Sequence, residues 1–451
     1  MAKSSFQYVC QQCATTYSKW SGRCDNCGAW NSLVEEAARP VGKAIVTRSK
    51  GSPLIATKLS AVTTDRETDR MSTNIPDLDV VLGGGLMPGG VVLVAGEPGI
   101  GKSTLLLQVA ASVATKHSVL YVTGEESAGQ VKLRAIRLGA HTSSLLSLVS
   151  STNADDIATT IASGSYDVVI IDSIQTLVVA EVSSAPGTVS QITNATNLII
   201  GAAKASHTAV MLVGHVTKEG SIAGPKVLEH IVDVVLQFEG DRYGGFKMLR
   251  AIKNRYGSTA ELAIFEMEEK GLVAVTNPSA ALLAERQLGD GSVVLATMEG
   301  NRPLLVEIQA LVNATNFGYP KRTASGFDLN RLTLLIAVLE KRTKLQLSDK
   351  DIFINVVGGL KLNDPAADLA ICMAIASAAT ERRLDDGAVV FGEVGLGGEI
   401  RSSHLAQRRI AEAKKLGFEY AIAPGLKPAD AFIHQVTDLR SALQTYVTLK
   451  N

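Results

Sequence analysis

The sequence predicts an α/β chain with three parts: a small four-cysteine module, a P-loop core on a mostly parallel sheet, and a C-terminal α+β domain. Three observations predict it. Four of the five cysteines fall within 18 residues. A glycine-rich loop stands between an apolar run and a helical stretch, and further short apolar runs alternate with helical segments after it. Beyond residue 280 the pattern changes to paired strands and two more helices.

The 451 residues suffice for roughly two or three domains. Apolar residues make up 46% and charged residues 20%, so real cores can form. The 44 basic residues balance 44 acidic ones, and any basic surface must therefore be local. No apolar run approaches the ~18 residues of a membrane span. The start, MAKSSFQYVC, lacks the apolar stretch of a signal peptide. A cytoplasmic protein without a membrane partner is expected, in a compartment where disulfides are rare.

Residues 1–34 carry Cys10 and Cys13, then Cys24 and Cys27, as two CxxC pairs. Each such turn aims two thiolates at one metal, and two turns complete a tetrahedron. Four thiolates leave no position for water, so a structural Zn²⁺ site is expected; a redox pair needs only one CxxC. So small a module has little core, and the metal supplies much of its folding energy. Trp20 and Trp30, the only tryptophans, lie here. Packing on the knuckles is the expectation, with base stacking the alternative. Residues 35–68 form the expected linker. Its Arg39, Lys43, Arg48, Lys50 and Lys58 are basic, and solvated charge is their default role.

Residues 69–275 hold the core. GEPGIGKS is Gly96, Glu97, Pro98, Gly99, Ile100, Gly101, Lys102 and Ser103, a full GxxxxGK[ST] match. Glycines let backbone N–H groups approach the phosphates of ATP. Lys102 reaches the β- and γ-phosphates, Ser103 ligates Mg²⁺, and Thr104 supports the helix start. The run VVIID ends in Asp172, which suits the Mg²⁺ shell. Glu125 ends another strand, where a carboxylate can orient the attacking water; Glu126 competes for that role. KNRYG, residues 253–257, puts Lys253 and Arg255 on alternate positions. They could bind DNA, decorate a surface, or reach a nucleotide held by another subunit.

The phosphate loop preceded by LGGGLMPGG, the TGEES turn, GHVTKEGSIAGPKVLEH and KNRYG together resemble the bacterial RadA/Sms recombination and repair ATPases. These are relatives of RecA and the replicative helicase. The resemblance spans the chain, since that family begins with a four-cysteine zinc module and ends with a Lon-protease-like domain. The family pentapeptide is KNRFG, and Tyr256 here keeps the aromatic. The resemblance implies a RecA-like core in which Lys253 and Arg255 face the neighbouring subunit's ATP. A positive group there stabilises charge on the γ-phosphate. It also makes His215 either a γ-phosphate sensor or a satisfied core histidine. Residues 216–226, with Lys218 and Lys226, and residues 181–197 become candidate DNA loops.

In the third part, 280–451, SVVLATMEGNRPLLVEIQALV reads as paired strands and FDLNRLTLLIAVLEKRT as an amphipathic helix. It resembles the proteolytic domain of Lon. In NDPAAD, Ala366 stands where that family has its serine, and the partner lysine falls near Ala406 or Gln407. Peptidase activity is therefore not expected. Lys321 and Arg322, with Arg401, Arg408 and Arg409, are candidate DNA contacts or solvated faces, and Cys372 is expected in the core.

The resemblance implies a DNA-dependent ATPase: a hexameric ring on single-stranded and branched DNA that drives branch migration beside a RecA-type recombinase. The alternative is an ATP-switched recombinase accessory or loading factor without motor activity.

Overall fold

The computed structural model describes residues 6–10, 15–26, 28–37, 58, 69–215, 227–240, 246–315 and 318–447. Two compact units divide the chain, Met1–Arg242 with Lys247–Ala274, and Tyr243–Phe246 with Val275–Asn451. Among the described residues no helix is long and apolar enough to cross a membrane.

The N-terminal module is a three-stranded antiparallel sheet of β1 (Phe6–Cys10), β2 (Thr16–Tyr17) and β3 (Leu33–Ala37), ordered β2-β1-β3. Its interior holds Cys10, Cys24 and Leu33, with Tyr8 and Tyr17 packed against them. Trp20 and Trp30 are not packed on the knuckles as expected: they are 57% and 72% exposed. The linker residues 38–57 and 59–68 lie outside the described residues, as do Cys13, Cys27 and the candidate DNA loop 216–226.

The core begins with α1 (Pro76–Leu82), which opens on a proline and ends at left-handed Gly83. Its elements then alternate: β4 (Val91–Gly96), α2 (Lys102–Val113), β5 (Val119–Thr123), α3 (Ala128–Arg137), β6 (Leu146–Ser150) and α4 (Ala154–Ala162). β7 (Val168–Asp172), α5 (Val189–Ser206), β8 (Ala209–His215), α6 (Val227–Ile231) and β9 (Val234–Gly240) follow. β10 (Lys247–Asn254), β11 (Leu262–Glu268) and β12 (Gly271–Ala274) close it. The sheet order is β12-β11-β10-β9-β4-β8-β7-β5-β6. From β6 to β9 the neighbours are parallel, and the last three strands run antiparallel.

Every residue of β4, β5 and β7 is buried, which explains their unbroken apolar runs: both faces are covered. Residues of α1, α2 and α3 pack on one face; those of α4, α5 and α6 pack on the other. The predicted loop at 181–197 is helical from Val189 onward. Thr188 caps that helix by accepting from Gln191 N, and buried Ile192, Ala195 and Ile199 recur at helical spacing.

The second unit contains α7 (Pro278–Leu283), β13 (Ser292–Glu299), β14 (Arg302–Ala314), β15 (Arg322–Ser325), α8 (Leu329–Thr343), β16 (Lys350–Val356) and α9 (Ala367–Thr380). β17 (Ala388–Val390), β18 (Glu393–Val394), β19 (Ile400–Arg401), α10 (Ala406–Lys415), β20 (Tyr420–Ala423), β21 (Ile433–Gln435) and α11 (Leu439–Tyr446) complete it. Its main sheet is ordered β15-β16-β14-β13-β17-β20-β21. Helix α9 is buried from Ala367 to Ala378, and Cys372 sits in its middle as a core residue.

Candidate functional site

The phosphate loop joins β4 to α2. Gly99 and Gly101 have φ of 80° and 118°, a region only glycine enters without strain. A side chain at Gly101 would also meet Met267 at 3.0 Å. Ile100 is buried and pins the loop to the core, while Pro98 and Gly99 face solvent. The N-cap of α2 is Gly101, and no side chain caps the helix. Thr104 stands in the first turn of that helix. It lines a hollow with Arg137, Met267, Glu268, Glu269 and Gly271. Uncapped first-turn amides, open space at Gly99 and a buried lysine fit a bound phosphate chain.

Lys102 Nζ donates to Gly96 O at 2.8 Å and Glu97 O at 2.9 Å, and lies 3.2 Å from His215 Nδ1. Burial lowers its pKa to about 8, against the pull of Asp172, Glu125 and Glu97. His215 Nε2 in turn lies 3.2 Å from Glu125 Oε1, which also accepts from Ser173 Oγ. Those two bonds hold Glu125 down to about 2, His215 contributing most. Glu126 turns away. Its carboxylate pairs with Arg134, and its N–H donates to Thr123 Oγ1.

Asp172, at the end of β7, is buried and accepts from Tyr121 Oη at 2.8 Å through Oδ2. Ser103 and Asp172 would hold a magnesium ion, for which a hydroxyl and a carboxylate are fitting donors. Sequence reasoning missed Tyr121 and Ser173. Ser173 directly follows Asp172 and was open to detection; Tyr121 hides in the apolar run VLYVT.

KNRYG lies elsewhere. Asn254 pairs with Val234, which pairs with Val92 at the start of β4. The loop begins at Gly96, about 13 Å further along the strand at ~3.3 Å per residue. Lys253 Nζ donates to Glu229 O, His230 O and Val232 O at 2.7, 3.2 and 2.8 Å, capping the end of α6. Burial, then the neighbouring Arg255 charge, lowers its pKa. Arg255 Nη1 donates to Asp233 Oδ1 at 2.9 Å, and the buried Asp233 also accepts from Val91 N at 3.1 Å. Arg70 Nη2 donates to Tyr256 O at 2.9 Å. Gly257 must be glycine because an added Cβ would stand 2.7 Å from Gly83 Cα.

In the metal module Cys10 Sγ lies 3.3 Å from Ser32 Oγ, and Cys24 Sγ lies 3.2 Å from Tyr17 Oη. Its bond to Cys24 pushes the Tyr17 hydroxyl pKa up. Both thiols are fully buried. Among the described residues no cluster of three or more ligating side chains forms, because Cys13 and Cys27 are not among them. A soft sulfur set with hydroxyls beside it fits zinc.

Of the other DNA candidates, Lys218 and Lys226 lie outside the described residues. Lys321 is exposed, and Arg322 is half-buried with Nη2 3.5 Å from Leu347 O. In the second unit Ala366 is buried at the start of α9. Beside it, buried Arg409 Nη1 meets Asp364 Oδ2 at 2.6 Å, and Asp364 Oδ1 accepts from Ala366 N. Burial alone would raise Asp364; the Arg409 bond and charge prevail and lower it.

Three family descriptions match the chain: AAA domain over residues 57–221, Rubredoxin metal binding domain over 8–35, and Subunit ChlI of Mg-chelatase over 332–426. The metal-binding match spans all four clustered cysteines. The DNA repair protein RadA of Bacillus subtilis (strain 168) is 46% identical, across 99% of this chain and 99% of that protein. The DNA repair protein RadA of Pseudomonas aeruginosa is 45% identical, across 98% and 99%. That of Aquifex aeolicus is 46% identical, across 94% of both. With such identity along nearly its whole length, and with a phosphate loop, acidic strand ends and a four-cysteine module in place, the chain belongs to the RadA family of DNA repair ATPases.

Proposed function

We propose that this chain is a DNA-dependent ATPase that binds single-stranded and branched DNA as a hexameric ring and drives branch migration beside a RecA-type recombinase. The observation that carries this reading is the position of Lys253 and Arg255, at the far end of the sheet from the chain's own phosphate loop. Both side chains are engaged there, Lys253 on the carbonyls of α6 and Arg255 on Asp233. Positive charge so placed serves phosphoryl transfer when a second copy brings its nucleotide to it.

In this reading Lys102 and the amides of Gly99 to Thr104 hold the phosphates. Ser103 and Asp172 hold Mg²⁺, which supplies charge neutralisation at the phosphates. Glu125 orients water. Held near 2, it is too weak a base to take a proton at neutral pH, but it is a strong hydrogen-bond acceptor. Arg255, half exposed, is the group that reaches the neighbour, and Lys253 fixes its strand. Ala366 supplies no nucleophile, so the second unit serves assembly and DNA contact, with Lys321 the exposed candidate.

The test mixes Lys102→Ala chains with Arg255→Ala chains and follows ATP turnover and strand displacement on branched DNA. Partial recovery in mixed rings is expected. No recovery in preformed mixed rings would count against the trans role. Hydrolysis without directional displacement would favour an accessory or loading factor.

A further inference from the structure

We infer that the N-terminal module bears a stacking platform for unpaired nucleobases, formed by Trp20 and Trp30 with the Arg23 guanidinium against Trp30. This rests on the reading that the chain contacts single-stranded DNA, and adds a contact made by the metal module itself.

Large indoles are costly to leave in water, yet both stand out from the module, whose described core is Cys10, Cys24 and Leu33 with two tyrosines packed against them. They flank one short ladder. Arg23 and Trp30 form an antiparallel bridge, and Asn31 N donates to Gly22 O at 2.7 Å. The Trp20 ring edge lies 3.9 Å from the place a Gly22 Cβ would occupy. Arg23 is held from the same ladder, its Nε donating to Gly28 O at 3.1 Å. Its guanidinium carbon then lies 5.8 Å from the Trp30 centroid.

The surroundings decide the partner. The core of a protein interface is depleted in lysine. These indoles are bordered instead by exposed Lys19, Arg23 and Asn31. An exposed ring with cations beside it matches a base on the ring and a phosphate on the cation. Any base offers a π-face, so the contact is sequence-tolerant.

Because Trp20 and Trp30 are the only tryptophans, tryptophan emission of the full chain, excited beyond the absorption of its 9 tyrosines, reports this face alone. The zinc-loaded protein is titrated with end-labelled oligothymidine and with an abasic deoxyribose-phosphate oligomer of equal length. Emission and label anisotropy are followed together. Oligothymidine is expected to quench the emission, and the abasic oligomer to leave it unchanged. A Trp20→Ala, Trp30→Ala double variant that retains its zinc should bind oligothymidine at least about tenfold more weakly, and Trp20→Tyr with Trp30→Tyr should recover most of that loss. Anisotropy that rises with unquenched emission would overturn the platform while leaving single-strand binding intact. No change in either signal would overturn both readings. Equal quenching by the abasic oligomer would show phosphate contact without stacking. Quenching only by a RecA-type recombinase would make the face a protein interface. Either of these last two results also overturns the proposal.

Discussion

His215 ties Glu125 to the phosphate-loop lysine: its Nε2 lies 3.2 Å from Glu125 Oε1 and its Nδ1 lies 3.2 Å from Lys102 Nζ. With the ammonium donating to Nδ1, the imidazole proton sits on Nε2 and faces the carboxylate. The three residues come from β8, the turn after β5, and the start of α2, so the bridge joins separate parts of the sheet's upper edge.

Glu125 has a folded pKa of about 2, below its ordinary 4.5. Its stabilising share is therefore present above the unfolded value and is lost as pH falls toward the folded one. Glu125→Gln should abolish turnover and preserve nucleotide binding. Its urea midpoint should lie below wild type at pH 7, and the gap should close between about pH 4.5 and 2. A gap that persists at the acid end would refute the assignment.

Burial depresses the Lys102 pKa to about 8. A phosphate needs the ammonium, so ATP affinity should fall as pH rises through that value, by up to about tenfold per unit. Lys102→Arg, whose side chain stays charged, should show a flat profile. Fluorescent-nucleotide titrations from pH 7 to 9.5 would check this, and a flat wild-type curve would sink it.

Tyr121→Phe removes the donor to a buried oxygen of Asp172. The cost should be about 1–3 kcal/mol of stability. The Mg²⁺ concentration giving half of the metal-dependent gain in nucleotide affinity should rise severalfold. Unchanged Mg²⁺ dependence would limit Tyr121 to a packing role.

Arg255→Ala strips the buried Asp233 of its cation and should destabilise by about 1–3 kcal/mol. Asp233→Asn in the same chain removes the stranded charge and should restore part of that stability. Turnover on DNA should stay lost if Arg255 acts on the neighbour's nucleotide. Recovery of both together would reduce Arg255 to a structural partner.

Ala366→Ser should confer no casein hydrolysis, because Ala406 and Gln407 provide no base and Arg409 is already bonded to Asp364. Arg409→Ala should cost about 3–5 kcal/mol by leaving Asp364 buried and unpaired. Peptide cleavage by the serine variant, blocked by a serine-directed inhibitor, would overturn this.

The phosphate loop was legible because its demands are local: glycines at fixed spacing, then lysine and serine. Asp172 was legible as an acid ending an apolar strand, and Glu125 as one just past a strand end. The unlike partners of Glu125 and Glu126 were not legible, since only the structure brings Ser173 and His215 to one and Arg134 to the other. Tyr121 has an apolar body, so it reads as core until its hydroxyl is seen on Asp172. The contacts of Lys253 are made across 21 to 24 residues and leave no periodic trace. The exposure of the tryptophans was not legible because aromatic residues usually fill interiors, and here both stand in solvent.

The stretch between His215 and Val227 is fastened at two unlike places. One end leaves from the imidazole that touches the chain's own ATP-binding lysine. The other enters the helix whose carbonyls Lys253 grips. The two described flanks thus answer to different partners: His215 to the phosphate-loop lysine, and α6 to Lys253 of the pentapeptide.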